Sequence, residues 1–206
     1  MFRLGVLPQK SYNVPVVCVG NLTVGGTGKT PMAEMVIAYM SQMHNVALLS
    51  RGYGRRTKGY REVLSRGYKR KTKGFLLANS KSTPATIGDE PFQMYQKFGK
   101  RVKVAVCEKR TKGIERLLQL QPEINLIILD DAFQHRYVKP KVSILLMDKN
   151  RPVYDDKILP LGRLREHKSG IYRAGFIVVT KCPQSIKPVD CRLISDRLSL
   201  FPYQKL

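Results

Sequence analysis

The sequence has no tryptophan, only four cysteines, and 15 acidic residues against 37 basic ones in a chain of 206. Each shortage excludes something. Cys18, Cys107, Cys182 and Cys191 form no CxxC pair and have no His-rich partner spacing, so a tetrahedral zinc site is not expected. The thiols read instead as free, in a reducing compartment. No apolar run approaches the roughly 18–20 residues that cross a bilayer. Residues 1–10 offer neither a long apolar core nor a small-residue cleavage site, so a secretory signal is not expected. The chain is expected to be soluble, or attached to a membrane surface at most. The shortage of acid leaves a formal net charge of +22, which attracts polyanions: nucleic acid, anionic lipid or phosphorylated substrates. Much of that excess is local, with ten basic residues and the single acid Glu62 between Arg51 and Lys73.

What is present is enough to build a core. Hydrophobic residues make up 43% of the chain, and the length suits one domain over residues 1–206. Short apolar runs alternate with amphipathic stretches. Strands are predicted at 14–19, 46–49, 102–106, 124–129, 142–147 and 176–179. Helices are predicted at 30–43, with Met32, Met35, Val36 and Met40 sharing a face with Tyr39, and at 89–98 and 109–120. This alternation predicts an α/β fold, a mostly parallel sheet with helices on both faces, and the loop TVGGTGKT between the first strand and helix makes the expected type P-loop NTPase-like. Residues 149–171 read as a long functional loop, and 191–206 has apolar spacing without a closing signal.

One internal repeat stands out. Residues 49–63, LSRGYGRRTKGYREV, are followed by 64–78, LSRGYKRKTKGFLLA, with nine of fifteen positions identical in register. Two copies cannot form a solenoid, so the stretch reads as a tandem duplication of one basic loop, or as a hairpin pairing 60–64 with 75–78.

The strongest chemical signal is TVGGTGKT: Thr23, Val24, Gly25, Gly26, Thr27, Gly28, Lys29 and Thr30, between a predicted strand and a predicted helix. Glycines let the backbone wrap an anion, and amides at the helix start point toward it. Lys29 would reach the β- and γ-phosphates, and the Thr30 hydroxyl would ligate Mg²⁺. Asp130 and Asp131 end the apolar run 124–129, where a P-loop protein places the acid that completes the Mg²⁺ shell. Asp89, in GDEP, heads a predicted helix, either as its N-cap or as a carboxylate that takes a proton from a hydroxyl. Gln134 and His135 follow the acidic pair. Arg163 and Arg165 stand two apart in LPLGRLRE, suited to phosphate or to a solvated loop.

Together VPVVCVGNLTVGGTGKTP, LLSRGYGR, IGDEP, LIILDDAFQHR and ILPLGRLRE resemble the tetraacyldisaccharide 4'-kinase family, in that family's order. The family's P-loop likewise carries Thr or Ser where the motif's first glycine is expected, as Thr23 does here. The resemblance implies ATP- and Mg²⁺-dependent phosphorylation of the 4'-hydroxyl of a tetraacyl disaccharide 1-phosphate, giving lipid IVA at the cytoplasmic face of the bacterial inner membrane. It implies Lys29 and Asp89 as catalytic residues, Asp89 being the base or hydroxyl-orienting acid. It further implies Thr23 to Thr30 with Gln134 around the nucleotide, and Thr30, Asp130 and Asp131 around the metal. The basic loop after Ser50 becomes a candidate contact for an anionic membrane surface or substrate phosphate. The family resembled begins with an apolar anchoring helix, carries one SRGY copy, and continues past the position of Leu206 through a His motif that assists the aspartate. The chain therefore reads as a shortened relative. Two other classes fit parts of the sequence. A P-loop ATPase or GTPase switch would share the loop, but Thr180-Lys181-Cys182-Pro183 lacks the aspartate that reads guanine. A nucleic-acid-binding module would explain the charge and the tyrosines of the repeat.

Overall fold

The computed structural model describes residues 8–53 and 74–206. In chain order these hold β1 (Val16–Asn21), α1 (Lys29–Met40), β2 (Val46–Ser50), β3 (Leu76–Leu77), α2 (Pro84–Ile87), α3 (Asp89–Phe98), β4 (Lys103–Val106), α4 (Arg110–Leu120), β5 (Leu126–Asp130), β6 (Val142–Asp148), β7 (Phe176–Thr180) and α5 (Pro188–Leu198). A 3-10 turn at Lys168–Arg173 precedes β7. The seven strands form one sheet in the order β3-β4-β2-β5-β1-β6-β7. All neighbours are parallel except the short edge strand β3, which runs antiparallel to β4.

Continuous apolar strands demand cover on both faces, and side-chain alternation shows how it is supplied. Val17, Val19, Leu48 and Ile128 pack with Ala33 and Ile37 of α1 and Met94 of α3. Cys18, Leu49, Ile127 and Leu129 point the other way, against Ile114 and Leu117 of α4. The pairing Cys18↔Ser143 puts Leu145 and Met147 on that second face too, where Ile194 and Leu198 of α5 cover them. Burying each Val, Leu, Ile or Met side chain here is worth roughly 1.5–3 kcal/mol, so a one-residue slip of any central strand would be severely destabilising.

The inward face of α1 differs from the sequence expectation. Ala33 and Ile37 are its buried residues, flanked by Met32, Val36 and Met40, whereas Met35 and Tyr39 are exposed. At about 100° per residue, Met35 sits some 200° from Ala33 and cannot share its face. The helix also stops at Met40 rather than 43. In the C-terminal segment α5 ends at Ser199 in a left-handed turn, and the Gln204 amide donates to the Ile171 and Ala174 carbonyls. Of the duplicated stretch, residues 54–73 lie outside the described residues. The expected hairpin partner 60–64 is among them, and Leu76 and Leu77 pair with β4.

The connection from β5 to β6 crosses over β1 without a helix. It passes so close that a Cβ on Gly20 would lie 2.7 Å from the Cβ of Phe133. The thin crossover leaves a hollow of about 590 Å³ above Cys18, Leu129 and Ser143. Burial pushes the Cys18 thiol up to about 12, so it stays protonated there.

Candidate phosphate-binding site

β1 runs into the loop at Leu22, and a segment far downstream, at Arg163 and Arg165, holds that loop in shape. The Val24 amide donates to the Arg163 carbonyl at 2.8 Å, and the Arg165 amide donates to the Leu22 carbonyl at 2.7 Å. Inside the loop, the Asn21 amide nitrogen donates to the Thr27 hydroxyl at 2.7 Å, and the Thr180 hydroxyl donates to the Thr27 carbonyl at 3.1 Å. The chain then turns through Gly28, which caps α1 in a left-handed conformation (φ 79°). No side chain caps α1 and its first turn contains no acid. Its orphan amides are thereby left for an anion, with the positive end of the helix dipole behind them.

The acidic pair of β5 comes to the same place because β5 is hydrogen-bonded beside β1, with Asp130 opposite Val19. The Lys29 ammonium lies 3.9 Å from Asp131. Asp131, in a left-handed backbone conformation (φ 44°), also takes Arg165 Nη1 at 3.0 and 3.2 Å on its two oxygens. Asp130 is in a different situation. It is 3% exposed, and its Oδ1 has no hydrogen-bond partner among the described residues. Burial, reinforced by Glu90 and Asp131, pushes its carboxyl up to about 6 against the opposing pull of Lys29 and Arg110. A desolvated carboxylate with an unpartnered oxygen, close to the acids Glu90 and Asp131, suits a cation. Among the described residues no three His, Cys, Asp or Glu side chains gather as a ligand cluster. That composition fits magnesium, which uses one or two carboxylates and takes its other oxygens from phosphates and water.

One consequence concerns stability. The Asp130 carboxyl titrates near 6 in the fold and near about 3.9 in the unfolded chain. As pH rises between those values the unfolded chain releases its proton first, so the native state loses stability. In magnesium-free buffer at pH 7, Asp130→Asn is expected to stabilise the fold by an amount on the order of 1–3 kcal/mol, and the gain should vanish below about pH 4. Urea denaturation across pH checks this, and equal stability of the two proteins at neutral pH would contradict it.

Other groups ring the cradle. Gly88, not Asp89, occupies the N-cap of α3, so Asp89 is the first helical residue, exposed and without a capping bond. A Cβ on Gly88 would lie 2.7 Å from the Tyr53 carbonyl, and its φ of 95° suits glycine. That close approach ties the start of α3 to the loop after β2. Next to Asp89, Glu90 accepts from the Thr30 hydroxyl at 3.4 Å. Gln134 is held at both ends of its amide: its nitrogen donates to the Asn21 carbonyl at 2.7 Å and its oxygen accepts from Arg165 at 3.4 Å. Glu166 is anchored by Arg173 at 2.6 Å. His135 is driven down to about 4 by burial and by Arg110 and Arg51, and is therefore neutral at pH 7. Buried Arg110, at the start of α4, donates to the Cys107 and Asp130 carbonyls. Lys181 pairs with Asp148 at 2.6 Å, and with Arg151 and Arg163 they border a small recess of about 50 Å³ against Gly25 and Thr27.

Sequence reasoning thus placed Lys29, Thr30, Asp130, Asp131 and Gln134 in one neighbourhood, and the fold brings Arg163 and Arg165 there as well. It missed Glu90, whose adjacency to Asp89 was the available signal, and Arg110, for which no local signal exists.

The sequence matches the family model described as LpxK, tetraacyldisaccharide-1-P 4'-kinase, over residues 1–64 and 60–201, two segments that overlap inside the duplicated stretch. It is 51% identical over 207 aligned residues to the tetraacyldisaccharide 4'-kinase of Bacteroides thetaiotaomicron, covering 100% of this chain and 50% of that protein. It is 49% identical over 176 residues to the protein of the same name from Cytophaga hutchinsonii, covering 84% of this chain and 46% of that one. The fold is similar to a crystal structure of LpxK from Aquifex aeolicus in complex with ATP, with a TM-score of 0.74 and 33% identity, over 91% of this chain and 56% of that one. The chain spans about half the length of the curated relatives it matches. By sequence, fold and the arrangement of its P-loop beside Asp130 and Asp131, it belongs to the tetraacyldisaccharide-1-P 4'-kinase family.

Proposed function

We propose that this chain binds ATP with Mg²⁺ and transfers the γ-phosphoryl group to the 4'-hydroxyl of a tetraacyl disaccharide 1-phosphate, giving lipid IVA. The observation that carries this reading is the meeting of Lys29 with Asp131 and of Thr30 with Glu90 at the mouth of β1, with one buried Asp130 oxygen unpartnered among the described residues. The amides from Gly25 to Thr30 bind the phosphates, and the Lys29 ammonium neutralises the charge that builds there during transfer. Thr30 and Asp130 would hold Mg²⁺, with Asp131 beside them positioning Lys29 and Arg165. When bound, the ion offsets phosphate charge and helps align the γ-phosphoryl group. Asp89, exposed at the head of α3, accepts the proton of the attacking hydroxyl. Gln134 braces Arg165 at the rim.

The acceptor is a lipid, so the reaction takes place at a membrane. Its proposed location is the cytoplasmic face of the inner membrane, where ATP is available. Among the described residues no helix is long and apolar enough to cross a bilayer. The +22 charge supports electrostatic attraction to an anionic surface. Incubation with γ-labelled ATP, Mg²⁺ and a tetraacyl disaccharide 1-phosphate, followed by lipid extraction, tests the proposal. Label in the organic phase is expected. Release of all label as inorganic phosphate, with or without the lipid, would replace a kinase by a hydrolase.

A further inference from the structure

Residues 157–164 form a tight hairpin that stands directly on the phosphate loop. The Leu164 amide donates to the Lys157 carbonyl at 2.9 Å, the Leu159 amide to the Leu164 carbonyl at 3.0 Å, and the Leu161 amide to the Ile158 carbonyl at 3.0 Å. A Cβ on Gly162 would collide with the Lys157 carbonyl, so only glycine fits that corner. Leu164 is 2% exposed and bridges to Thr23, which fixes the base of the hairpin to the P-loop. The tip is the opposite of its base. Ile158, Leu159 and Leu161 are 45%, 48% and 84% exposed, and Pro160 between them is exposed as well. Four consecutive apolar residues in water, on a segment held by its own backbone bonds, run against ordinary surface composition and mark a contact surface.

Charge identifies the occupant. Exposed Lys157 and Arg163 flank the tip. The neighbouring acids are turned away: Asp156 Oδ1 accepts from the Lys157 and Arg163 amides at 2.8 and 3.0 Å, and Asp155 pairs with Arg197 at 3.4 Å. An apolar tip with a basic collar matches an anionic lipid surface, apolar below and negative at the headgroups. We propose that the 158–161 tip inserts into the interface of an anionic bilayer and so brings the phosphate loop down to a lipid acceptor. This rests on the lipid-kinase reading above, and it assigns the seating on the membrane to this hairpin.

The absence of tryptophan makes the test direct. In Leu161→Trp the new indole is the sole one in the chain. Added vesicles of phosphatidylethanolamine with phosphatidylglycerol should shift its emission to the blue and expose it to quenching by brominated acyl chains. A tryptophan placed at Met35, on the outward face of α1, should do neither. Leu161→Asp should weaken partition into the same vesicles by about tenfold, with ATP affinity unchanged. Three results would overturn the proposal: an unshifted indole while the protein still sediments with vesicles, no sedimentation at all, or emission already blue and concentration-dependent without lipid, which means a second copy covers the tip. ATP binding measured on the same samples separates the two readings. Its retention with an unshifted indole removes the hairpin's role alone, and its absence from the unsubstituted chain removes the kinase reading.

Discussion

Lys29→Ala is expected to weaken ATP binding by at least about a hundredfold, because a charge-assisted contact to the β- and γ-phosphates disappears from a partly desolvated site. The fold should survive. The Lys29 side chain is 13% exposed and reaches Asp131 at 3.9 Å, a contact too long to be a strong hydrogen bond. Asp131 keeps Arg165, so no buried acid is left without a cation. Titration calorimetry with ATP and Mg²⁺, paired with a thermal melt, separates lost binding from lost structure. An unchanged affinity in a folded variant would remove the P-loop from the mechanism.

Asp89→Ala should give the complementary result: ATP affinity within about twofold of the unsubstituted chain, and phosphoryl transfer reduced by about 10²–10⁴-fold, the usual worth of a positioned general base. The structure supports such a clean separation. Asp89 is exposed, caps nothing and begins a helix whose N-cap is Gly88, so its removal costs at most the small dipole interaction of a first-turn acid, about 0.3–1 kcal/mol. Its neighbour Glu90 should behave differently. That carboxylate accepts from Thr30 and raises the Asp130 carboxyl, so Glu90→Ala should act on nucleotide and metal binding first. Transfer rates at saturating ATP, read beside the binding constants, distinguish the two. Full transfer in Asp89→Ala would assign the proton to another group.

These expectations show what could be read before the fold was known. Apolar runs located six of the seven strands, but each parallel strand that faces the site extends past its apolar run into a polar residue. Asn21, Ser50, Asp130, Asp148 and Thr180 close β1, β2, β5, β6 and β7. Hydropathy stops at those positions because ligands bind at the carboxyl edge of a parallel sheet, and chemistry there needs polar groups. The signal that ends a predicted strand is thus the signal that begins the site. The P-loop was legible because its glycines, lysine and threonine are contiguous. The partners of the acidic pair were not, since Arg165 and Arg110 reach β5 from 34 and 20 residues away. Asp89 showed the limit of local rules: a carboxylate at a helix start reads as a cap, and only the fold, with Gly88 at positive φ in that position, reveals that the cap is taken.

The placement of β1 between β5 and β6 has a consequence for deuterium uptake. Amides of a strand paired on both edges exchange only when the whole cooperative unit opens, whereas those of Leu76 and Leu77 exchange by fraying at the margin. A nucleotide bound at the end of β1 adds RT ln(1 + [L]/Kd) to that global opening and nothing to the fraying. Saturating ATP should therefore slow labelling of β1 by the same factor at every amide, from Asn21 beside the phosphates to Val17 near the remote end, and leave the margin as it was.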